Sequence, residues 1–303
     1  MKKELIKKFN KNIFSEVNLS NYSWFNLGGP AELLFKPENT HQLINFLKEI
    51  KENDLKITIL GAGSNVLIRD KGIKGVVIKL GSYFSKIKLI DQDSLEVGAA
   101  TLDRKISNFA KENGIGNLEF LSCIPGSIGG AVIMNSGCYE NDISKVLTSI
   151  KVIDIRECKE KKINREEINF FYRGTNLPEE LIITSVNLKG KITDKGIIEK
   201  KQLQMIEKKK LSQPSQIKTC GSTFKNLNNK KKAWQLIKET GCDKFFVGDA
   251  SISDKHCNFF VNNGNAKSSD IEKLINKVKK TVVEKTGVNL ELEIKIIGEE
   301  KAL

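Results

Sequence analysis

Apolar residues recur along the chain at two spacings, and each spacing predicts its own type of element. Leu43, Ile44 and Leu47 share one helical face, which predicts a helix capped by Thr40 and running to about Glu52. Ile106, Phe109 and Ala110 do the same behind a Thr101 cap, with Gly114 as the stop. The longest such pattern, Ile271, Leu274, Ile275, Val278 and Val282, predicts a helix over 268–286 ended by Gly287. Charged helices over 194–211 and 231–240 complete the helical set. Short apolar runs predict strands at 32–36, 56–60, 76–80, 87–90, 94–97, 181–188 and 258–261, and one near 146–155. The closing stretch Leu290–Ile297 alternates as far as Ile296. It sets Glu293 on one face with Glu291 and Lys295, away from Leu290, Leu292 and Ile294. Residues 1–20 read as a lysine-rich lead-in, and changes of texture near 80 and 190 divide the chain into 1–80, 81–190 and 191–303.

Two stretches depart from both spacings. Asn117–Tyr139 sets Gly126, Gly129, Gly130 and Gly137 close behind Pro125, with Ser122, Ser127, Ala131 and Ser136 between them. Glycine at that density serves a tight turn, or a loop whose backbone comes close to a flat or anionic ligand. Taken alone, this stretch fits either. A second loop, Gly61-Ala62-Gly63-Ser64-Asn65, follows the apolar run Ile57–Leu60. Two backbone-exposing loops in one chain favour a dinucleotide-sized ligand, held by nests of N–H groups. Neither loop follows the dinucleotide fingerprint that opens a helix within a βαβ unit.

Composition narrows the chemistry. The 303 residues carry 50 Lys+Arg against 37 Asp+Glu, a net charge of +13. Arginine occurs only at 69, 104, 156, 165 and 173, and the lysines are spread among glutamates without interleaved aromatics. That pattern predicts solvated helix faces and no nucleic-acid partner, though a basic surface attracts an anionic substrate. Two histidines and six cysteines without a CxxC pair predict no metal site, no His-centred triad and reduced thiols. With no apolar run of membrane-spanning length and no signal-peptide core at the start, the expected location is the cytoplasm.

Seven motifs stand in order: GGPA at 28–31, LGAGSNVLIRD at 60–70, LEFLSCIPGSIGGAVIMNSGCY at 118–139, YR at 172–173, CGSTFKN at 220–226, KHCNFFVN at 255–262 and LELEIKIIG at 290–298. Over essentially its whole length the chain resembles the UDP-N-acetylenolpyruvoylglucosamine reductase family, in the subgroup without the tyrosine-loop insertion. The resemblance implies an α+β fold: two FAD-binding subdomains like those of the PCMH/vanillyl-alcohol-oxidase flavoproteins, then a C-terminal α+β substrate domain. It implies non-covalent FAD on Gly61, Gly63, Ser64, Asn65, Pro125, Gly126, Ser127, Gly129 and Gly130. It also implies NADPH as hydride donor, a UDP-sugar substrate and a monomer.

The catalytic set implied by the resemblance is Arg173, Ser222 and Glu293, with Lys225 and Asn226 at the UDP end. Hydride addition to an enolpyruvyl group drives charge onto its carboxylate, and a guanidinium at position 173 suits that charge. Ser222 would protonate the resulting carbon. Cys220 is its rival if 219–224 is extended, because residues two apart then face the same side. Leu227, Asp249 and Lys295 depart from the commoner proline, glycine and arginine of the family. The competing readings are a covalent flavin oxidase of the same fold and a basic RNA-binding protein. Neither histidine lies in a glycine loop, which weighs against the oxidase.

Overall fold

Helices form where the apolar stripes run at helical spacing, and the computed structural model describes residues 2–51, 55–226 and 231–300. Its α-helices there are α1 (Lys2–Lys8), α2 (Thr40–Lys51), α3 (Asp103–Glu112), α4 (Ile128–Ile133), α5 (Lys195–Ser212), α6 (Ala233–Glu239) and α7 (Ser268–Thr286). α7 buries Ile271, Leu274, Ile275, Val278 and Val282, the expected stripe, and Gly287 closes it at φ 71°. That left-handed backbone carries no Cβ penalty for glycine.

The N-terminal caps differ from expectation. The Asn39 side chain accepts the Gln42 N–H at 2.9 Å, so Asn39 rather than Thr40 caps α2. α3 begins at Asp103, and the buried Thr101 hydroxyl makes no hydrogen bond. Residues 1–20 are not a lead-in. α1 and the strand Ile13–Asn18 bury Leu5, Phe9 and Ile13, four residues apart. The Phe9 ring stands edge-on to Phe35 and Phe46 with centroids at 5.6 and 5.2 Å. The lysines beside these residues mask the stripe in the sequence.

The chain divides into two units of interleaved segments. The first comprises Met1–Phe14, Leu34–Ala62 and Val76–Lys209. Its centre is an antiparallel sheet in the order Lys159–Asn164, Leu147–Asp154, Leu181–Lys189, Ser94–Gly98, Ile87–Asp91. Ile150 and Val97 both pair with Val186, giving a β-branched row across the middle. The row joins Ile106 of α3 and Ile128 and Val132 of α4 in one core. Lys159–Asn164 is an edge strand of mostly exposed charge, a composition that discourages further pairing.

The second unit comprises Ser15–Leu33, Gly63–Gly75 and Lys210–Leu303. Strands Phe246–Val247, Ala250–Ile252 and Phe260–Asn262 pair antiparallel, so the apolar run predicted at 258–261 enters the sheet only from Phe260. Val66–Ile68 pairs in parallel with Lys295–Ile297. Asp70 follows that first strand and caps α7, accepting Ser268 N–H at 2.8 Å and Ser269 N–H at 3.0 Å. Arg69 forks onto Glu272 of α7, with N···O distances of 3.0–3.2 Å. The Ile68-Arg69-Asp70 end of its motif is therefore a structural clasp. The expected α+β character holds, with helices packed on antiparallel sheets. Among the described residues no helix is long and apolar enough to cross a membrane.

Candidate active site

In the first unit, Gly61 follows the strand Ile57–Ile59, which pairs in parallel with Val76–Ile78. The Lys79 ammonium donates to the Gly61 carbonyl at 2.6 Å. Burial pulls the Lys79 pKa below its ordinary value, and neighbouring Lys36 adds to the effect. Lys79 was not among the residues singled out from the sequence. Its only signal there is its place at the end of an apolar run.

The second glycine stretch is partly helical. Pro125, Gly126 and Ser127 lead into α4, so Gly129 and Gly130 are helix residues. Ser127 bridges to Leu102, Asp103 N–H reaches Gly126 O at 3.2 Å, and Ile128 N–H reaches Thr101 O at 2.9 Å. The stretch is thus strapped to residues 99–103. A Cβ on Gly129 would lie 3.1 Å from Ala99, so this glycine permits packing of α4 on that strap. Gly130 differs, since within 4 Å its Cβ would meet only Ser127 Oγ, at 3.9 Å. A Cβ on Gly61 would likewise meet only Ser127 Oγ, at 3.0 Å. Gly61 and Gly130 therefore both expose backbone beside the Ser127 hydroxyl, a surface suited to close contact with a large cofactor. Beneath the strap, Asp103 is wholly buried and its carboxylate oxygens have no partner. Burial drives its pKa well above the ordinary carboxylate value.

Arg173 occupies a two-residue turn between Phe170–Phe171 and Gly174–Thr175, with a left-handed φ of 58°. For a residue with a Cβ that conformation is strained, and such strain persists where surrounding bonds enforce it. Asn135, just past α4, donates to Phe171 O at 3.2 Å. The guanidinium donates to Gly137 O at 3.3 Å and lies 5.0 Å from the Tyr172 ring centroid. Both bonds tie Arg173 to the end of the glycine stretch.

The second unit holds Gly63, Ser64, Asn65, Ser222, Lys225, Asn226 and Glu293. A Cβ on Gly63 would fall 1.9 Å from Tyr22 O, so backbone packing alone demands this glycine. Ser64, beside it, is half-buried. Ser222 bridges to Phe259 and Phe224 to Leu292, while Glu293 N–H donates to Thr223 O at 2.8 Å. Asn65 Nδ2 donates to Glu293 O at 3.1 Å. These bonds bring Asn65, Ser222 and Glu293 together. The alternating strand expected over 290–297 is regular only at Lys295–Ile297, which leaves Glu293 half-buried while Glu291 is exposed.

Asn258 fixes the Ser222 segment. Its side chain accepts Phe224 N–H at 3.0 Å and donates to Phe224 O at 2.8 Å, and its carbonyl accepts Thr223 N–H at 2.8 Å. Asn258 was not singled out from the sequence, although an amide directly before the buried run Phe259–Val261 was its signal. Cys220 turns away from this group and donates to Val66 O at 3.2 Å. Burial pushes its thiol up to about 12, and the φ of 80° at Gly221 breaks the extended alternation that would have set it beside Ser222. Lys225 lies 3.6 Å from Glu291, and Asn226 Oδ1 accepts Ala233 N–H at 3.2 Å at the start of α6. Asp249 accepts Asn265 N–H at 2.7 Å, Lys295 is exposed, and Leu227 lies outside the described residues.

Residues 31–159 match the FAD binding domain family, and residues 213–297 match the UDP-N-acetylenolpyruvoylglucosamine reductase C-terminal domain. The chain is 47% identical to the UDP-N-acetylenolpyruvoylglucosamine reductase of Pelagibacter ubique, over 97% of this chain and 99% of that one. It is 42% identical to the reductase of that name from Orientia tsutsugamushi, over 96% of each chain. The crystal structure of the Thermus caldophilus UDP-N-acetylenolpyruvylglucosamine reductase superposes with a TM-score of 0.81 at 32% identity, covering 94% of this chain and 98% of that one.

Proposed function

The chain belongs to the UDP-N-acetylenolpyruvoylglucosamine reductase family, and on that premise we propose that Arg173, Ser222 and Glu293 carry its chemistry. The reaction is the reduction of UDP-N-acetylglucosamine enolpyruvate to UDP-N-acetylmuramate for peptidoglycan precursors. Bound FAD would supply hydride chemistry between NADPH and the enolpyruvyl group. The side-chain-free backbone at Gly61 and Gly130 beside Ser127 supports its binding there. Gly63, Ser64, Pro125 and Gly126 complete the non-covalent binding set together with Asn65 and Gly129, which serve it by holding their segments in place. Segments 1–80 and 81–190 hold the cofactor, and 191–303 takes the substrate.

Arg173 binds the enolpyruvyl carboxylate and stabilises the charge that grows on it as the double bond is reduced. Preorganisation is its advantage, because the strained turn and the bond to Gly137 O fix the guanidinium before substrate arrives. Ser222 delivers a proton to the carbon beside that carboxylate, and Glu293 lines the same group. Lys225 and Asn226 take the UDP end. The enzyme acts as a cytoplasmic monomer without a nucleic-acid partner.

The observation that carries this reading is the backbone bond joining Glu293 to Thr223, which brings Ser222 and Glu293 together from distant parts of the sequence. Arg173→Ala tests it. Flavin reduction by NADPH should stay near the parent rate while reoxidation by the enolpyruvyl substrate slows about 10²–10³-fold, the usual loss for one charge-stabilising donor. Equal loss in both half-reactions would overturn the assignment.

A further inference from the structure

The strand end that carries Lys79 is built against the first glycine loop. Leu60 N–H donates to Ile78 O at 3.0 Å, and Lys79 N–H donates to Phe35 O, also at 3.0 Å. Residues 35, 60 and 79 are thereby fixed side by side at one end of the sheet. From there the Lys79 side chain reaches the loop itself, and its ammonium donates to the Gly61 carbonyl at 2.6 Å. A carbonyl orients an ammonium but does not neutralise it. Burial first, and then the charge of Lys36 one residue past Phe35, holds the Lys79 pKa below its ordinary value, so a second cation acts at the same strand end. On the other side of Gly61, a Cβ would meet only the Ser127 hydroxyl within 4 Å, at 3.0 Å. The cation is therefore tethered to backbone that side chains leave uncovered.

We propose that the Lys79 ammonium, held at the glycine loop by the Gly61 carbonyl, pairs with the diphosphate of FAD and makes this chain select FAD over uncharged flavins. The inference rests on the reading of the chain as an FAD enzyme and adds a specificity-determining residue to it. The isoalloxazine ring, the sugar chains and the adenine of FAD carry no charge near neutral pH. Only the diphosphate is an anion, so a cation fixed at a loop that contacts this cofactor has one complementary partner.

Lysine suits this task for physical reasons. Backbone N–H groups of a glycine loop offer phosphate oxygens partial charges only, whereas an ammonium adds a full one. Lysine also binds phosphate as a point charge, without the fork geometry that a guanidinium needs. The bond to Gly61 O holds the side chain at the loop beforehand, so less rotamer freedom remains to be lost when the cofactor binds. The mutual repulsion of Lys36 and Lys79 is relieved by an anion beside them, which adds to the affinity.

The test compares FAD with riboflavin on the full-length protein freed of flavin, with binding followed by the change in flavin fluorescence. Lys79→Met keeps the reach of the side chain and removes its charge. In that variant FAD should bind about 10–100-fold more weakly, the worth of one hydrogen bond to a charged group. Riboflavin, which has no diphosphate, should bind the parent and Lys79→Met alike, and Lys79→Arg should recover most of the FAD affinity. Added salt should weaken FAD binding to the parent more than to Lys79→Met, because only the parent holds the extra ion pair. Equal losses for FAD and riboflavin would mean that Lys79 merely shapes the loop, and an unchanged FAD affinity would place the diphosphate elsewhere. Either result overturns the proposal while leaving the flavoenzyme reading in place. A parent that takes up no FAD would refute that reading itself.

Discussion

The side-chain amide of Asn65 donates to the backbone carbonyl of Glu293 at 3.1 Å, and the Lys295 N–H returns a bond to the Asn65 carbonyl at 3.0 Å. The glycine loop is thereby stitched to the stretch that carries the proposed catalytic carboxylate. The amide is spent on that carbonyl, so Asn65→Ala should behave as a lesion of Glu293 more than of the cofactor. We expect flavin content within about 2-fold of the parent. Substrate reduction should be about 5–10-fold slower, the worth of one net hydrogen bond of about 1 kcal/mol. Flavin content and stopped-flow reoxidation measured on one preparation decide it, and flavin loss with normal reoxidation of the remainder would refute it.

Ser222 and Cys220 separate the two candidate proton donors. A thiol pushed to about 12 and bonded to Val66 O cannot give up a proton readily. Ser222→Ala should cripple substrate reduction while leaving flavin reduction by NADPH intact, and Ser222→Cys should restore part of the rate. Cys220→Ala should stay within a few-fold of the parent. A silent Ser222→Ala beside an inactive, flavin-loaded Cys220→Ala would reverse the assignment.

Gly129 and Gly130 should fail differently. Gly129→Val drives a branched side chain toward Ala99, 3.1 Å from the position of a Cβ, and should lower the melting temperature by several degrees through overpacking. Gly130→Val meets only Ser127 Oγ and should fold at a similar temperature but retain little flavin. Thermal scans paired with absorbance at the flavin band report both, and a flavin-loaded Gly130→Val would place the cofactor elsewhere.

Asp70 supplies a pH-dependent share of stability. Burial raises its pKa, but hydrogen bonds from Ser269 and Ser268 outweigh burial and leave it below the ordinary value. A depressed carboxylate contributes stability above its unfolded pKa of about 3.9 and loses it as pH falls through the lower folded value. Asp70→Ala should cost about 0.5–1 kcal/mol at pH 7, the range of an exposed helix cap. Denaturant unfolding should show that deficit shrinking below about pH 4, whereas a deficit independent of pH would mean that the charge contributes nothing.

Much of this was legible in the sequence. α7 fell on its expected ends because a long stripe and a closing glycine fix both limits, and α5 fell within one residue of its own, just ahead of Pro214. α4 was hidden because Gly129 and Gly130 are poor helix formers, and only its strap to residues 99–103 holds the turn. Lys159–Asn164 was invisible for the opposite reason, since an edge strand of exposed charge carries no apolar alternation. Arg173, Ser222 and Glu293 could be proposed from the motifs that carry them. Their supports could not, because Asn65, Asn258 and Asn135 act through backbone partners that no local pattern announces.

The strand Val66–Ile68 has a consequence for how the protein is made. Its parallel partner, Lys295–Ile297, is translated more than two hundred residues later. The five-stranded sheet of the first unit lies wholly between Ile87 and Lys189 and can assemble while the ribosome is still working. The second unit must keep its early segments waiting until Lys295–Ile297 has been made, and then close a very long loop, which makes its assembly the slow step. A chain cut short of Lys295 would therefore carry an intact first sheet and an apolar strand left with an open edge, a species marked for aggregation or degradation.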